Sequence, residues 1–307
     1  MRRTFRVIRG ESQLDAFLAW TRGKDARRDL REEARLDAEW RATWLRSLSR
    51  GITTDTRNSW GTPDATSIPL VMCLWNRPER IHDIVSMLET LDGPPVRVLF
   101  WNNAPDKRES YSWLADHAPR GSLTGIDLYT SDVNIGGLAR FVATRLLTNS
   151  GYTGPVLFLD DDQDVSPSFV SDLLADYAPR SIVGWWAFDF GVSYWERVQI
   201  DAGSTAQHVG TGGMVFDSAL VRDDQFFADL PRRYAFLEDQ WMSHFALLRG
   251  WTLKKARTHI EFVLEHTNQY HAMIGIKDEF FWQVYGTDLG APRRGRRNRA
   301  WSRGRVR

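Results

Sequence analysis

From residue 68 onward the chain alternates short apolar runs with amphipathic stretches, a rhythm absent from the residues before it. The runs cover 68–75, 96–101, 126–129, 156–159 and 182–188, each of a length suited to a strand. Between the first two, Ile81, Ile84, Val85, Leu88 and Leu91 share one face of a helix. Pro78 opens that helix, because a first-turn residue needs no amide hydrogen. A second helix is predicted over 138–147, after Gly136 and Gly137. A third has Ser166 as its cap and Pro167 as its first residue, turning Phe169, Val170, Leu173 and Leu174 inward. Strands alternating with helices of this size predict βαβ units and a mostly parallel sheet.

Past about residue 190 the rhythm becomes irregular. A hairpin is expected over 191–200, a Gly-rich loop at 210–213 and a helix over 239–248 with Trp241, Phe245 and Leu248 on its core face. Ahead of the rhythm, Leu36, Trp40, Trp44 and Leu48 recur every four residues among charges, the stripe of an amphipathic helix. Residues 51–67, rich in Thr, Gly, Asp and Ser, have a linker's composition. The expected organisation is a helical extension and linker over 1–66, an α/β domain over 67–285 whose two halves meet near 190, and an Arg-rich tail over 286–307.

Composition changes this picture little, with 42% hydrophobic and 26% charged residues as in ordinary globular chains. Fourteen Trp are many, and flat rings hold bases or sugars as well as pack. Cys73 is the only cysteine, which excludes an intramolecular disulfide and a cysteine-based zinc site. Its neighbours Met72 and Leu74 place it in a buried strand, and a reducing compartment fits. The first residues lack the apolar stretch of a signal peptide and no run reaches the roughly 18 apolar residues of a membrane span, so a cytoplasmic protein is expected.

Charge is unevenly spread. Residues 1–50 hold 13 Lys and Arg against 8 Asp and Glu, residues 293–307 hold eight Arg and no acid, and the net charge of +1 therefore leaves −12 for residues 51–292. The basic tail at 293–307 is a candidate contact for a polyanion, either nucleic acid or an anionic membrane, or else a solubilising terminus.

The sharpest chemical signal is Leu157-Phe158-Leu159-Asp160-Asp161-Asp162-Gln163-Asp164, four carboxylates where an apolar strand ends. In open α/β sheets ligands bind outside the carboxyl ends of strands. Hard oxygen donors of this kind suit Mg²⁺ or Mn²⁺. An EF-hand is excluded, because Val165 stands where that loop needs Gly and Ser171 where it needs Glu. A plainer reading is an acidic loop capping the helix at Ser166, since anions favour helix N-termini. A second carboxylate pair, Glu238-Asp239, opens the helix over 239–248. Such a group beside an acceptor hydroxyl can take its proton as a general base, although acids in a first turn also serve structure alone.

In order along residues 68–270 stand Trp75-Asn76-Arg77-Pro78, Trp101-Asn102-Asn103, Asn134-Ile135-Gly136-Gly137-Leu138-Ala139-Arg140, the acidic cluster, the 210–213 glycines and Glu238-Asp239. This succession resembles the GT-A glycosyltransferases, especially family 2. The resemblance implies a Rossmann-like α/β fold with a nucleotide-sugar-binding half over 67–190 and an acceptor half over 191–285. It implies a metal-dependent transfer, with inversion, from a nucleoside-diphosphate sugar, by family expectation a uridine nucleotide. Trp75, Asn76 and Arg77 would line the base and ribose pocket, with Asn102 or Asn103 also facing the nucleoside. Asn134, Gly136, Gly137 and Arg140 would lie near the diphosphate and sugar. Asp160, Asp161 and Asp162 would form the Asp-x-Asp element, with Asp160 and above all Asp162 on the metal, and His266 or His271 is available as a further ligand. Asp239, paired with Glu238, resembles the catalytic base.

The chain lacks the Gln-x-x-Arg-Trp motif of processive polysaccharide synthases. The acceptor that the resemblance implies would be a hydroxyl-bearing saccharide, lipid, protein or modified nucleobase. Two rivals stand beside this reading. A nucleotidyltransferase would need a Gly-rich basic loop after the first strand, which the chain lacks, and a nucleic-acid binder acting through the tail is opposed by the acidic middle.

Overall fold

A computed structural model describes residues 26–50, 60, 62, 64, 66–263 and 273–286. A seven-stranded sheet forms its centre, in the order β11-β6-β10-β4-β1-β2-β3. The strands are β1 (Ile68–Leu74), β2 (Val96–Asn102), β3 (Leu123–Thr130), β4 (Pro155–Asp160), β6 (Ser181–Gly184), β10 (Met214–Asp217) and β11 (Thr252–Lys255). All run parallel except β10, which is antiparallel to both β4 and β6. Successive side chains of a strand point to opposite faces. Val71, Phe158 and Phe216 accordingly enter one core with Phe141 and Phe245, while Leu70, Met72, Leu157 and Val215 enter another with Phe169.

Helices cover both faces: α1 (Ala26–Arg50), α2 (Ile81–Glu89), α3 (Leu138–Asn149), α4 (Phe169–Ala175), α5 (Gln225–Ala228), α6 (Glu238–Leu248) and α7 (Ile274–Tyr285). The α2 stripe is buried as expected, at Ile81, Ile84, Val85 and Leu88. On α1, the Trp44 ring meets Trp40 edge-on at 5.1 Å and Phe227 at 6.4 Å, so the stripe docks the extension onto the main body. No helix among the described residues is long and apolar enough to cross a membrane.

Three expectations need correction. The run over 182–188 is not one strand: β6 ends at Gly184, and after Trp185 and Trp186 the chain enters β7 (Ala187–Phe190) of a separate three-stranded sheet with β8 (Arg197–Gln199) and β9 (His208–Val209). Ser166 does not cap α4, which starts at Phe169, and the Ser166 hydroxyl instead meets that of Ser168 at 3.1 Å. The irregular second half also contributes two strands, β10 and β11, to the main sheet. A further pairing, β5 (Gln163–Val165) with β12 (Ile260–Phe262), ties the acidic loop to the second half, and Val263 N donates to Asp162 O at 2.8 Å.

Candidate active site

The parallel register brings the carboxyl ends of β1, β2 and β4 together, with Cys73 opposite Asp160 and Leu74 opposite Asn102. Just beyond them lies a cavity of about 230 Å³ whose wall includes Trp75, Arg77, Asn103, Asn134, Gly136, Gly137, Arg140, Asp160, Asp161, Asp162 and Glu238. The structure thus gathers at one place most of the residues singled out from sequence. Three others lie outside its wall, Asp239, Asn102 and Asn76. Asn102 is fully buried, its side chain accepting from Ala104 N at 2.9 Å and donating to Thr130 Oγ1 at 3.5 Å, and Asn76 is exposed outside the cavity. His266, His271 and the 293–307 tail lie outside the described residues.

The loop before α3 is built by its own side chains. Asn134 Oδ1 accepts from Gly136 N at 2.8 Å, closing a tight Asx turn. Asn103 braces the same loop, accepting from Ile135 N at 3.3 Å and donating to Gly136 O at 3.2 Å. Gly136 has φ of 60°, and a Cβ there would stand 2.6 Å from the Phe236 ring. Glycine therefore satisfies both the left-handed turn and the close approach. This loop delivers Arg140 to the cavity from the first turn of α3.

Buried charges meet here in pairs. Arg140 Nη2 donates to Asp160 Oδ1, while its Nε and Nη1 have no hydrogen-bond partner among the described residues. Arg77 donates to Asp161 Oδ1 at 2.5 Å and lies 3.1 Å from Asp162 Oδ2. Arg80 pairs with Asp164 at 2.5 Å. Even so, burial together with the charge of Asp160 pushes the Asp162 carboxyl up to about 7, against the pull of Arg77. Asp161 is raised by burial as well. The cavity floor thus carries more negative charge than its arginines neutralise.

That surplus bears on whether a divalent cation fits. Among the described residues no three His, Cys, Asp or Glu groups are placed to hold one. Asp160 and Asp162 nevertheless bring two hard oxygen donors to the cavity, and Gly212 leaves Asp160 Oδ2 room that a side chain would fill. Mg²⁺-type ions commonly take one or two carboxylates and complete their shell with substrate phosphates and water. The residues fit an ion bound in that way, together with its substrate.

The second carboxylate pair is divided by its surroundings. Glu238 lines the cavity, where burial and the neighbouring Asp239 push its carboxyl up to about 7 while Arg140 opposes them. Thr211 Oγ1 donates to it at 3.4 Å. Asp239 turns instead toward His208, whose Nε2 lies 3.6 Å from its Oδ2. Burial works to raise the Asp239 carboxyl, but His208 and the Lys277 ammonium outweigh it and hold the group well below the usual carboxylate range. His208 and Lys277 were not singled out from sequence, because a lone His and a lone Lys carry no motif. Phe236 and Phe262, which also line the cavity, were missed for the same reason.

No family model matches the chain. No curated protein matches it either. Among solved structures it is similar to S. aureus TarS, at 16% identity over 68% of this chain and 39% of that one, with a TM-score of 0.41. It is similar to residues 1–349 of TarS in complex with UDP, at 16% identity over 67% and 63% of the two chains and a TM-score of 0.41. It is also similar to the mannosyltransferase PcManGT from Pyrobaculum calidifontis in complex with GDP-Man and Mn²⁺, at 12% identity over 79% and 66%, with a TM-score of 0.45. The chain thus spans well under two thirds of full TarS. Likeness this distant leaves the chemistry to be read from the site itself.

Proposed function

We propose that the chain is a glycosyltransferase that moves a sugar from a nucleoside-diphosphate donor to an acceptor hydroxyl, with inversion at the anomeric carbon. One observation carries this reading: a single cavity joins an aromatic ring, an amide-braced Gly-Gly loop, a buried arginine whose Nε and Nη1 have no hydrogen-bond partner among the described residues, and carboxylates at a strand end. Each part suits one part of such a donor. Trp75 offers a flat surface to the base, the uracil of a uridine nucleotide by the resemblance noted above. The 134–137 loop permits close approach of a diphosphate, and Arg140 supplies nitrogens that bind phosphate oxygens.

Asp160 and Asp162 would hold Mn²⁺ or Mg²⁺ together with the diphosphate, where such an ion supplies Lewis-acid stabilisation of charge on the leaving group. In the transfer, the acceptor oxygen forms a bond to the anomeric carbon as the bond from that carbon to the phosphate oxygen breaks. The electron pair leaves with the nucleoside diphosphate, and the hydroxyl proton passes to Asp239. His208 and Lys277 keep that carboxylate in its ionised form. Glu238, which lines the cavity, would hold a donor hydroxyl.

A thermal-shift panel tests the reading. UDP and GDP, with and without Mn²⁺, should raise the melting temperature, because a ligand of the native state stabilises it by mass action. A panel in which neither nucleotide shifts the transition, with or without the metal, sinks the proposal.

A further inference from the structure

The acceptor side carries an aromatic strip that the donor chemistry leaves unused. Phe262 lines the cavity and also packs edge-on against Trp185, 5.4 Å between ring centres. Trp185 in turn lies 5.6 Å from Trp186. The strip therefore begins at the cavity and runs outward along the edge where β6 ends, the same edge of the sheet as Asp160. Phe262 and Trp186 are 39% and 36% exposed, large for rings of this size in the middle of a fold. Trp186 is not loose: the Arg197 guanidinium lies 5.4 Å from its ring centre, and the ring rests against Gly210, where a Cβ would come within 3.1 Å.

A row of held rings, exposed at Phe262 and Trp186 and half-buried at Trp185, leading out of a transfer site is a stacking surface. The electron-rich face of an aromatic ring attracts the polarised C–H face of a pyranose and equally accepts a nucleobase. Charge separates the two. The strip starts beside Asp160, Asp161, Asp162 and Glu238, with exposed Glu261 on β12, and residues 51–292 carry −12 overall. A nucleic-acid backbone needs neutralising Lys and Arg along its path, and here, Arg197 beside Trp186 apart, it would meet carboxylates at the cavity end. A neutral sugar chain meets no such penalty.

We propose that Phe262, Trp185 and Trp186 form the acceptor subsite and that the acceptor is a neutral saccharide of at least two sugar units. The inference rests on the glycosyltransferase reading and names its second substrate. The test uses the full chain on a printed array bearing neutral oligosaccharides, single-stranded oligonucleotides and Ser/Thr peptides, alongside the melting shift with UDP and GDP. Neutral oligosaccharides should be retained. Trp186→Ala should weaken that retention about tenfold, as loss of one stacking partner implies, while Trp186→Phe keeps most of it and both variants keep the nucleotide shift. Retention of oligonucleotides or peptides in place of neutral glycans overturns the inference. So does an array that retains no glycan, or glycan binding that Trp186→Ala leaves unchanged. Absence of the nucleotide shift in the unsubstituted chain strikes the glycosyltransferase reading instead, and glycan retention lost in Trp186→Ala would then still stand for the strip.

Discussion

Residues 68–184 and residues 187–286 are held by different means. In the first region β1 and most of β4 are continuous apolar runs, β1 and β2 are seven residues long, and β1 pairs in parallel with β2 over its whole length. In the second, β10 and β11 join the same sheet, but β7, β8 and β9 have only two to four residues, and around them cohesion comes from side chains far apart in sequence. Phe188, Phe190, Tyr194 and Phe281 form one such cluster, and His208 sits among its rings, 4.7 Å from Phe188. Backbone ladders thus fix the region that presents the carboxylates of the proposed metal site, whereas aromatic packing shapes the side that would face the proposed acceptor. A regular scaffold suits a ligand whose diphosphate is common to many donors, and a side-chain scaffold can change shape with its acceptor.

The largest effects should come from the two carboxylate sites, and they should differ in kind. Asp162→Ala removes a proposed ion ligand from the first region. Metal-dependent turnover should vanish, while circular dichroism and cooperative melting remain, since Asp162 lies in a loop after β4. Asp239→Asn on the acceptor side should lower transfer by about 10²–10⁴, the range of a lost general base, and leave donor binding intact. Calorimetry with UDP and Mn²⁺ beside a turnover assay reads both. Equal loss of donor binding and transfer in Asp239→Asn would remove its role as base.

Most of the first region was legible because its signals are local. The apolar run at β1, the stripe on α2 and the acids at the end of β4 each lie within one segment, so period and punctuation reveal them. What stayed hidden depends on distant partners. Met214, Val215 and Phe216 form too short a run to announce that they cross between β4 and β6 in the middle of the sheet. Nothing local says that Arg77 would spend its guanidinium on acids 84 and 85 positions away. Asn102 and Asn103 are adjacent and alike, yet the end of β2 turns one into the sheet and the other toward the cavity. The double Trp at 185 and 186 extended an apolar run without showing that the strand ends there.

A core substitution sharpens the contrast. Phe281 on α7 is fully buried against Phe190 at 4.8 Å and Tyr285 at 5.1 Å. Phe281→Ala should cost about 3–5 kcal/mol, as large-to-small changes in aromatic cores do. If the second region leans on such packing, amide exchange measured by mass spectrometry should quicken across 187–263 and 273–286 well before it does in β1, β2 and β4. Uniform loss of protection would show one cooperative unit and dissolve the distinction.

The smallest effect is electrostatic and falls on the seam between the regions. The carboxyls of Asp162 and Glu238, which both line the cavity, are pushed up to about 7. A group whose pKa is higher in the folded than in the unfolded chain binds more protons when folded, so its favourable contribution is complete below the unfolded value near 4 and fades as pH rises through about 7. The ligand-free protein should therefore melt lower at pH 8 than at pH 5.5, by roughly 2–4 °C for each kcal/mol lost. Glu238→Gln removes one titrating group and should flatten the slope, and Mn²⁺ with UDP should flatten it further by giving the buried charge a counter-ion. A steeper loss toward low pH, unchanged by Glu238→Gln, would mean that the arginines already balance these carboxylates. The cavity would then have no spare negative charge to offer a cation, and the case for an ion shared between Asp162 and the diphosphate would lose its electrostatic ground.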